Sequence, residues 1–194
     1  MTATTPRRRA PGRLDRAAYF NAAFKILATQ GFVELTVDNL CTELGATKGS
    51  FYHHFSGLPD FTEALLAAWE TTVHERLSAA AALPFVEGFT YSMTMLDQWP
   101  IRAEAALRAW GWANPIVAAA VRRQEVAWEA LMREWLGQVI PDPARCRMLA
   151  RMVVAVLTGM NRLGEAPDLP MVRAVCFEIL QTNVGVDLSA VSPS

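Results

Sequence analysis

The sequence has few cysteines and no long hydrophobic run, and these two absences exclude several classes of protein. Its three cysteines, Cys41, Cys146 and Cys176, are odd in number and widely spaced. They fit neither a disulfide framework nor a zinc-binding motif, so we expect them to be reduced and buried. No apolar stretch approaches the roughly 20 residues that a membrane-spanning helix needs. With no hydrophobic signal segment at the N-terminus, we expect a cytoplasmic protein without a membrane segment.

Recognisable catalytic and metal-binding motifs are also absent from the sequence. The stretch 45–50 superficially resembles a phosphate-binding loop, but its order is Lys-Gly-Ser, whereas that loop requires Gly-Lys-Ser or Gly-Lys-Thr after a longer glycine spacing. His53 and His54 are adjacent, so a helix would turn them about 100° apart, unlike the i, i+4 histidines that share a metal ion. We therefore predict no catalytic residues, no metal site and no cofactor.

The net charge of −1 hides an uneven distribution along the chain. Residues 1–56 carry seven basic and four acidic side chains, a net charge of +3, whereas the remainder carries eleven basic and fifteen acidic side chains, a net charge of −4. A basic N-terminal module on an acidic body is expected if only the module meets phosphates. The hydrophobic content of 52% is high, which suggests a subunit interface or an apolar ligand cavity.

Two short helices joined by a tight turn are predicted in the first third of the chain. Thr36 is a candidate N-cap for the first helix, Gly45 suits its C-terminal end, and Thr47 is a candidate N-cap for the second. Phe51 and Phe55 are four residues apart and can point into a core together. The other side of the second helix is left with small, hydrogen-bonding and cationic groups. This combination fits a DNA-binding helix-turn-helix, whose second helix enters the major groove.

The arrangement resembles the N-terminal region of the TetR family of transcriptional repressors. The likeness covers about residues 14–66 and is specific in residue type, spacing and position. The residues that carry it are Thr36, Leu40, Gly45, Lys48-Gly49, Phe51-Tyr52 and His54-Phe55. The resemblance implies a DNA-binding head, a helical body that binds a small-molecule effector, and dimerisation through the last two helices. The rest of the chain is compatible with the family in length and helical pattern only.

Eight residues are candidates for DNA contact: Thr36, Thr47, Lys48, Gly49, Ser50, Tyr52, His53 and His54. The two threonines are predicted at helix N-termini, where hydroxyl and backbone N–H groups can bind phosphates. Lys48 and Ser50 could reach base edges, and glycine at 49 lets the backbone approach closely. Tyr52 and His53 could contact phosphate or base. The family resemblance implies a phosphate contact for His54, with a structural role at the helix end as the alternative.

One position departs from the family pattern. The family usually carries a lysine three residues after the Phe55 position, where it contacts the DNA backbone, but this chain has Leu58 there. We expect the loss of this cation to weaken non-specific DNA binding and to lower its salt dependence by about one unit of slope. Arg7–Arg9 could compensate as a DNA-binding arm; a solubilising tail is the alternative.

Helical periodicity and proline-marked starts continue through the body, so the predicted fold class is all-α, with a three-helix head joined to a larger helical body. The predicted divisions are a disordered basic arm over 1–13, the helix-turn-helix domain over 14–57, a ligand-binding and dimerisation body over 58–183, and a flexible tail over 184–194.

Two helices near the C-terminus are predicted to have matching apolar faces. These faces consist of Leu149, Met152, Val153, Val156 and Met160 on one helix and Val172, Val175, Cys176, Ile179 and Leu180 on the other. Pairing with a second copy would form a four-helix bundle; closing the monomer's own core is the alternative.

Aromatic and methionine side chains are concentrated in the central helices, where they could line a pocket for an apolar or aromatic effector or simply fill a core. The candidate pocket residues are Trp69, Phe89, Met93, Trp110, Trp128 and Met132. Asp97, Glu104 and Glu125 could bind a cationic effector, although we expect each of them to lie on a solvated surface.

The sequence thus predicts a dimeric, effector-responsive regulator on a near-palindromic DNA operator. The alternatives are a DNA-binding regulator without a ligand and a helical enzyme or interaction module.

Overall fold

Nine α-helices and one short 3-10 helix make up the described part of the chain, which contains no β-strand, so the predicted all-α fold is confirmed. The computed structural model describes residues 14–95, 98, 100–160 and 169–184. The helices are α1 (Arg16–Thr29), α2 (Val37–Leu44), α3 (Lys48–His54), α4 (Leu58–Ala81), α5 (Phe85–Met95), α6 (Ile101–Gly111), α7 (Pro115–Gly137), α8 (Pro143–Met160) and α9 (Leu169–Val184), with the 3-10 helix at Phe32–Glu34 between α1 and α2.

Local capping interactions set the ends of these helices. The hydroxyls of Thr36 and Thr47 each accept a hydrogen bond from the backbone N–H three residues later, at 3.2 Å, and so begin α2 and α3. Gly45 ends α2 with φ of 61°, a left-handed conformation that glycine adopts without steric cost. The Asn114 side chain caps the backbone N–H groups at the start of α7, where Pro115 is the first helical residue.

An aromatic cluster of Tyr19, Phe51, Phe55 and Phe61 holds the head together. All four side chains are buried, and their ring centroids lie 4.9 to 5.8 Å apart where two rings pack, in edge-on or tilted orientations. These orientations suit the quadrupoles of aromatic rings. The cluster joins α1, α3, the turn after α3 and the start of α4, so it fixes how the recognition helix sits on the head.

The body is built around α7, which packs against α4, α6 and α8, while α8 packs against α9. At the start of the body, Gly88 on α5 lies directly against Trp135 on α7, and a Cβ at this position would stand 2.5 Å from the indole ring. The fold therefore requires glycine at residue 88. Helix α6 connects the two parts of the molecule, since it packs against α7 on one side and against α1 and the 3-10 helix on the other.

Helices α8 and α9 divide their predicted apolar faces between the monomer core and the surface. Five of the ten predicted residues are buried within the monomer: Leu149, Val153, Val172, Cys176 and Leu180. Val156, Val175 and Ile179 are half-buried. Met152 is exposed, as are Met148 on α8 and Met171 on α9. Some residues of these faces therefore close the core of the monomer, whereas other residues of the same helices remain exposed, where a second copy could meet them.

Several predictions fall on or near the ends of the described ranges. The arginine arm at 7–9, Asp97, the side chain of Met160 and residues 185–194 lie outside what the structure describes. Val184, predicted as the first tail residue, is the last residue of α9. The three cysteines are buried and form no disulfide, and burial raises the pKa of the Cys176 thiol to about 11. Within the described helices, none is both long and apolar enough to cross a membrane.

Candidate functional site

The predicted DNA-contact residues of the head lie on α3 and at the N-termini of α2 and α3. Six of the eight predicted DNA-contact residues are exposed there: Thr36, Thr47, Lys48, Gly49, Tyr52 and His53. Tyr52 has 56% of its surface accessible although its neighbour Phe51 is fully buried. Large exposed aromatics and cations on a short helix are suited to contact with a nucleic-acid groove and its phosphates.

Lys48 is held by a carboxylate from the preceding helix. Its Nζ lies 2.6 Å from Oδ1 of Asp38, in the first turn of α2, and both side chains are about two-thirds exposed. The hydrogen bond from Lys48 to Asp38 raises the pKa of the lysine ammonium. Exposed ion pairs contribute little to stability, so this contact orients the lysine more than it stabilises the head. In the predicted contact of Lys48 with DNA, a phosphate or base would have to compete with Asp38 for the ammonium group.

Ser50 and His54, the other two predicted contact residues, are half-buried and hydrogen-bonded to groups at α1. The Tyr19 hydroxyl lies 2.9 Å from Oγ of Ser50, and Nε2 of His54 lies 2.8 Å from the Leu14 carbonyl oxygen. Arg16 lies 4.6 Å from the centre of the Phe55 ring. These contacts dock α3 onto α1, so a structural role has geometric support for both residues. Contact of either residue with DNA stays a prediction.

Glycine at residue 49 has no packing reason within the described structure. A Cβ added there would meet only Oγ1 of Thr47, at an ordinary distance of 3.7 Å, and the residue is helical. Because a helical alanine is more stable than a helical glycine by about 1 kcal/mol, the glycine calls for a reason outside the fold. The predicted close approach of the DNA backbone is such a reason. Leu58, where the family pattern has lysine, is half-buried and packs on the core.

A cavity of about 50 Å³ lies in the body between α6, α7, α8 and α9. It is lined by Ile101, Glu104, Arg108, Glu125, Trp128, Val154, Leu157, Thr158, Leu169 and Val172. Among the residues that the structure describes, the walls are therefore mainly apolar and aromatic, with three charged side chains and one hydroxyl. Cavities that bind small molecules have this composition, in which a few polar groups set the orientation of the ligand.

The three charged side chains form a network with Trp69 in which Glu104 is buried, Arg108 is largely buried and Glu125 is partly exposed. Glu104 is 5% exposed and accepts a hydrogen bond from Nε1 of Trp69 at 3.0 Å. Nη1 of Arg108 lies 3.5 Å from Oε2 of Glu104, and Nε of Arg108 lies 3.6 Å from Oε1 of Glu125. Burial of this kind needs compensation by partners because an isolated charge is costly in an apolar interior. The expectation of a solvated position is therefore wrong for Glu104.

The predicted pocket residues are placed unevenly around this cavity. Trp128 lines it, whereas Trp69, Phe89 and Met132 are buried in the core and Met93 and Trp110 are half-buried. Trp110 instead stacks on Phe32 of the 3-10 helix, with ring centroids 6.3 Å apart and planes within 8°. Sequence reasoning missed Arg108 and Thr158. The i, i+4 spacing of Glu104 and Arg108 is a signal for an ion pair on one helix face, but it does not indicate that the face is buried.

Comparisons with known proteins identify relatives of both parts of the chain. Residues 20–65 match the family model described as "Bacterial regulatory proteins, tetR family". A TetR-family transcriptional regulator from Streptomyces coelicolor has 21% identity and a TM-score of 0.71, with 92% of this chain and 96% of that chain covered. A transcriptional regulator from Saccharomonospora viridis in complex with choline has 15% identity and a TM-score of 0.67, with 87% and 96% covered. The multidrug binding protein EbrR complexed with malachite green has 21% identity and a TM-score of 0.58, with 84% and 96% covered. No curated protein is similar enough in sequence to match.

A head with an exposed second helix in a helix-turn-helix, joined to a larger helical body, is an architecture found in DNA-binding transcriptional regulators. The match over residues 20–65 and the shared fold confirm the resemblance on which the sequence interpretation rests. Residues 20–65 are thus similar to the DNA-binding region of the TetR family, and the chain as a whole shares the fold of TetR-family transcriptional regulators.

Proposed function

We propose that the protein is a dimeric repressor that occupies a near-palindromic operator and is released when a small molecule binds its body. Two recognition helices about 34–36 Å apart would enter successive major grooves. The exposed surface of α3, with Lys48, Tyr52 and His53, supports the DNA contact. As a regulator of transcription it would work in the cytoplasm.

The cavity between α6 and α9 is the single observation that carries the effector response. Helix α6 contributes Glu104 and Arg108 to it and packs on α1 and the 3-10 helix, where Trp110 meets Phe32. A change in the position of α6 would therefore reach the head directly. An effector releases DNA only if it binds more tightly to the state that does not fit the operator. The structural neighbours that hold choline and malachite green show that this fold can accept small molecules.

Dimerisation through α8 and α9 is supported by what these helices leave exposed. Met148, Met152 and Met171 are each 41% to 53% accessible, although other apolar residues of the same helices are buried. Met148 and Met152 lie one turn apart on α8 and line one surface groove, and contiguous exposed apolar side chains mark surfaces that bind a partner. A second copy of the chain would cover them and complete a four-helix bundle.

Operator binding is tested by a mobility-shift assay on the promoter DNA beside the protein's own gene. We expect Lys48→Ala and Tyr52→Ala each to weaken binding about tenfold or more, because each removes a contact at the groove, and Lys48→Ala to lower the salt slope by about one. Arg123→Ala, on the body helix α7, is the control and should bind as the wild type does. If neither head substitution weakened binding, α3 would not be the recognition helix.

Gly49→Ala should separate folding from DNA binding. The new methyl group meets no close neighbour in the fold, and alanine stabilises a helix more than glycine does. We therefore expect the free energy of unfolding to rise by up to about 1 kcal/mol. The same methyl group would stand between α3 and the DNA backbone and should weaken operator binding several-fold. Thermal denaturation and the mobility-shift assay measure the two effects on one preparation. Unchanged operator affinity would show that glycine is not needed for close approach.

Two rival functions are distinguished by the same measurements. A regulator without an effector would bind the operator, but no compound in a diverse panel would change its melting temperature or DNA affinity. A helical enzyme or interaction module with an inactive head would not bind the promoter at all. The buried charged network favours the effector-responsive regulator, since a plain apolar core has no need of three ionised side chains around a cavity.

A further inference from the structure

We propose that Arg16, the first residue of α1, binds a DNA phosphate beside the C-terminal end of the recognition helix α3. The eight predicted contact residues all lie on or beside α2 and α3, so this contact extends the DNA-binding surface to α1. The inference rests on the proposed binding of DNA by α3. It is drawn from the position, exposure and partners of the Arg16 side chain.

The Arg16 side chain lies at the C-terminal end of α3. Its Cζ atom is 4.6 Å from the centre of the Phe55 ring, and its Nη1 atom donates to the His54 carbonyl oxygen at 3.4 Å. His54 is the last residue of α3, and Phe55 is its C-cap. His53, an exposed residue of the predicted DNA surface, directly precedes them. A guanidinium group is therefore placed at the end of the helix that presents the predicted contacts.

The Phe55 ring holds this guanidinium group at the surface. Phe55 is 2% exposed and packs edge-on against Tyr19 and Phe61 in the aromatic cluster of the head, so the ring is a fixed support. A guanidinium that lies over an aromatic ring can still donate hydrogen bonds from its edge. Because Arg16 is exposed, an anion from solution can reach those donors.

No carboxylate of the described residues forms an ion pair with Arg16. Asp15, its neighbour in the chain, caps the start of α1, and Asp60, in the first turn of α4, accepts hydrogen bonds from Ser56. Residues 1–14 contain no aspartate or glutamate at all. Arg16 thus differs from Lys48, whose ammonium group is held by a carboxylate of α2.

A phosphate suits this position for an electrostatic reason. The C-terminal end of a helix carries a partial negative charge, because its last carbonyl groups have no partners within the helix. This end of α3 would by itself repel the DNA backbone. The guanidinium beside the His54 carbonyl group offsets that charge, and its N–H donors match the geometry of phosphate oxygens. Leu58, at the start of α4, is apolar and packs on the core, so it brings no charge to this end.

The length of α3 brings both of its ends near the borders of a major groove. The helix has seven residues and is therefore about 10 Å long, whereas the groove is about 12 Å wide. At the N-terminal end, the hydroxyl and backbone N–H groups of Thr47 are the predicted phosphate donors. Arg16 provides the donor at the opposite end.

The test is a mobility-shift titration at several salt concentrations, on the promoter fragment and on an unrelated duplex of the same length. We expect Arg16→Gln to weaken binding to both duplexes by a similar factor, about threefold to tenfold. It should also lower the slope of log affinity against log salt concentration by about one on each duplex, because a phosphate contact does not depend on base sequence. Arg16→Lys keeps the charge and should keep the wild-type slope.

Lys25→Gln is the matched control within the same helix. Lys25 is also an exposed cation, but it lies nine residues further along α1, on the opposite side of the helix, where it pairs with Glu43 of α2. The substitution removes the same charge from the head and should leave the slope unchanged. Partial unfolding of the head would lower the affinity by one factor at every salt concentration. The slope therefore separates a phosphate contact from a role in docking α3.

Two results would overturn the inference. A wild-type slope in Arg16→Gln would limit Arg16 to the packing of α3 on α1, and an equal fall in slope in Lys25→Gln would show a general effect of the charge of the head. Failure of the proposed function has a different signature. A wild-type protein with no preference for the promoter fragment would refute operator recognition, while the slope on the unrelated duplex would still report the contact of Arg16 with phosphate.

Discussion

Phe51→Ala is expected to lower the free energy of unfolding by about 3–5 kcal/mol and to abolish operator binding. Phe51 is fully buried, and its ring centroid lies 5.7 Å from that of Tyr19, 5.2 Å from that of Phe55 and 5.7 Å from that of Phe61. Alanine would leave a cavity in the middle of the aromatic cluster that fixes α3 on α1. Chemical denaturation measures the stability, and the mobility-shift assay measures DNA binding.

The neighbouring residue provides the control for this prediction. Tyr52 lies on the same helix but is 56% exposed, so Tyr52→Ala should leave the free energy of unfolding within about 1 kcal/mol of the wild type while it weakens operator binding. The two variants thus separate loss of the head from loss of a contact. A Phe51→Ala protein with wild-type stability would contradict the packing of the head described above.

Arg108→Ala is expected to lower the free energy of unfolding by about 3–5 kcal/mol, because it leaves a buried carboxylate without its cation. The side chains of Arg108 and Glu104 are 14% and 7% exposed, so solvent cannot replace the lost partner. The Trp69 N–H donates to Glu104 in the wild type as well, and a neutral donor does not replace the charge of the guanidinium. Adding Glu104→Gln should restore part of the stability, since it removes the uncompensated charge.

Arg123→Ala is the matched control. It shows whether the loss of stability depends on how deeply the ion pair is buried or on the distance between its charged groups. Arg123 pairs with Glu70 at 2.6 Å, closer than Arg108 approaches Glu104, but the Arg123 side chain is 60% exposed. Solvent screens that pair, so we expect a loss below about 1 kcal/mol. Chemical denaturation of Arg108→Ala, Glu104→Gln and the double variant, each compared with the wild type, gives the coupling energy between residues 104 and 108. Equal losses in Arg108→Ala and Arg123→Ala would contradict a special role for the buried network.

The ends of the helices could be predicted from the sequence because the interactions that set them are local. Thr36 and Thr47 cap α2 and α3 through backbone groups three residues away, and Gly45 ends α2 by its own φ angle. Asn114 and the proline after it begin α7 in the same way. The burial of Phe51 and Phe55 followed from their spacing on one helix face. Every partner needed for these predictions lies within a few residues along the chain.

The roles of individual polar residues required the tertiary structure. Ser50 has the spacing of a residue that could face DNA, but its hydroxyl meets Tyr19, which is 31 residues earlier in the chain. His54 likewise meets the Leu14 carbonyl group, 40 residues away. Helical periodicity gives the direction of a side chain on its own helix and contains no information on which helix lies opposite.

The sequence by itself determined the all-α fold, the helix-turn-helix and the resemblance to the TetR family over residues 20–65, since these depend on local caps, periodicity and a compact motif. The tertiary structure alone decided the location and charge of the cavity. Its lining comes from α6, α7, α8 and α9, and Glu104 is buried because Trp69 and Arg108 meet it there. A glutamate on an amphipathic helix is normally solvated, and only the packing of other helices over it makes burial possible.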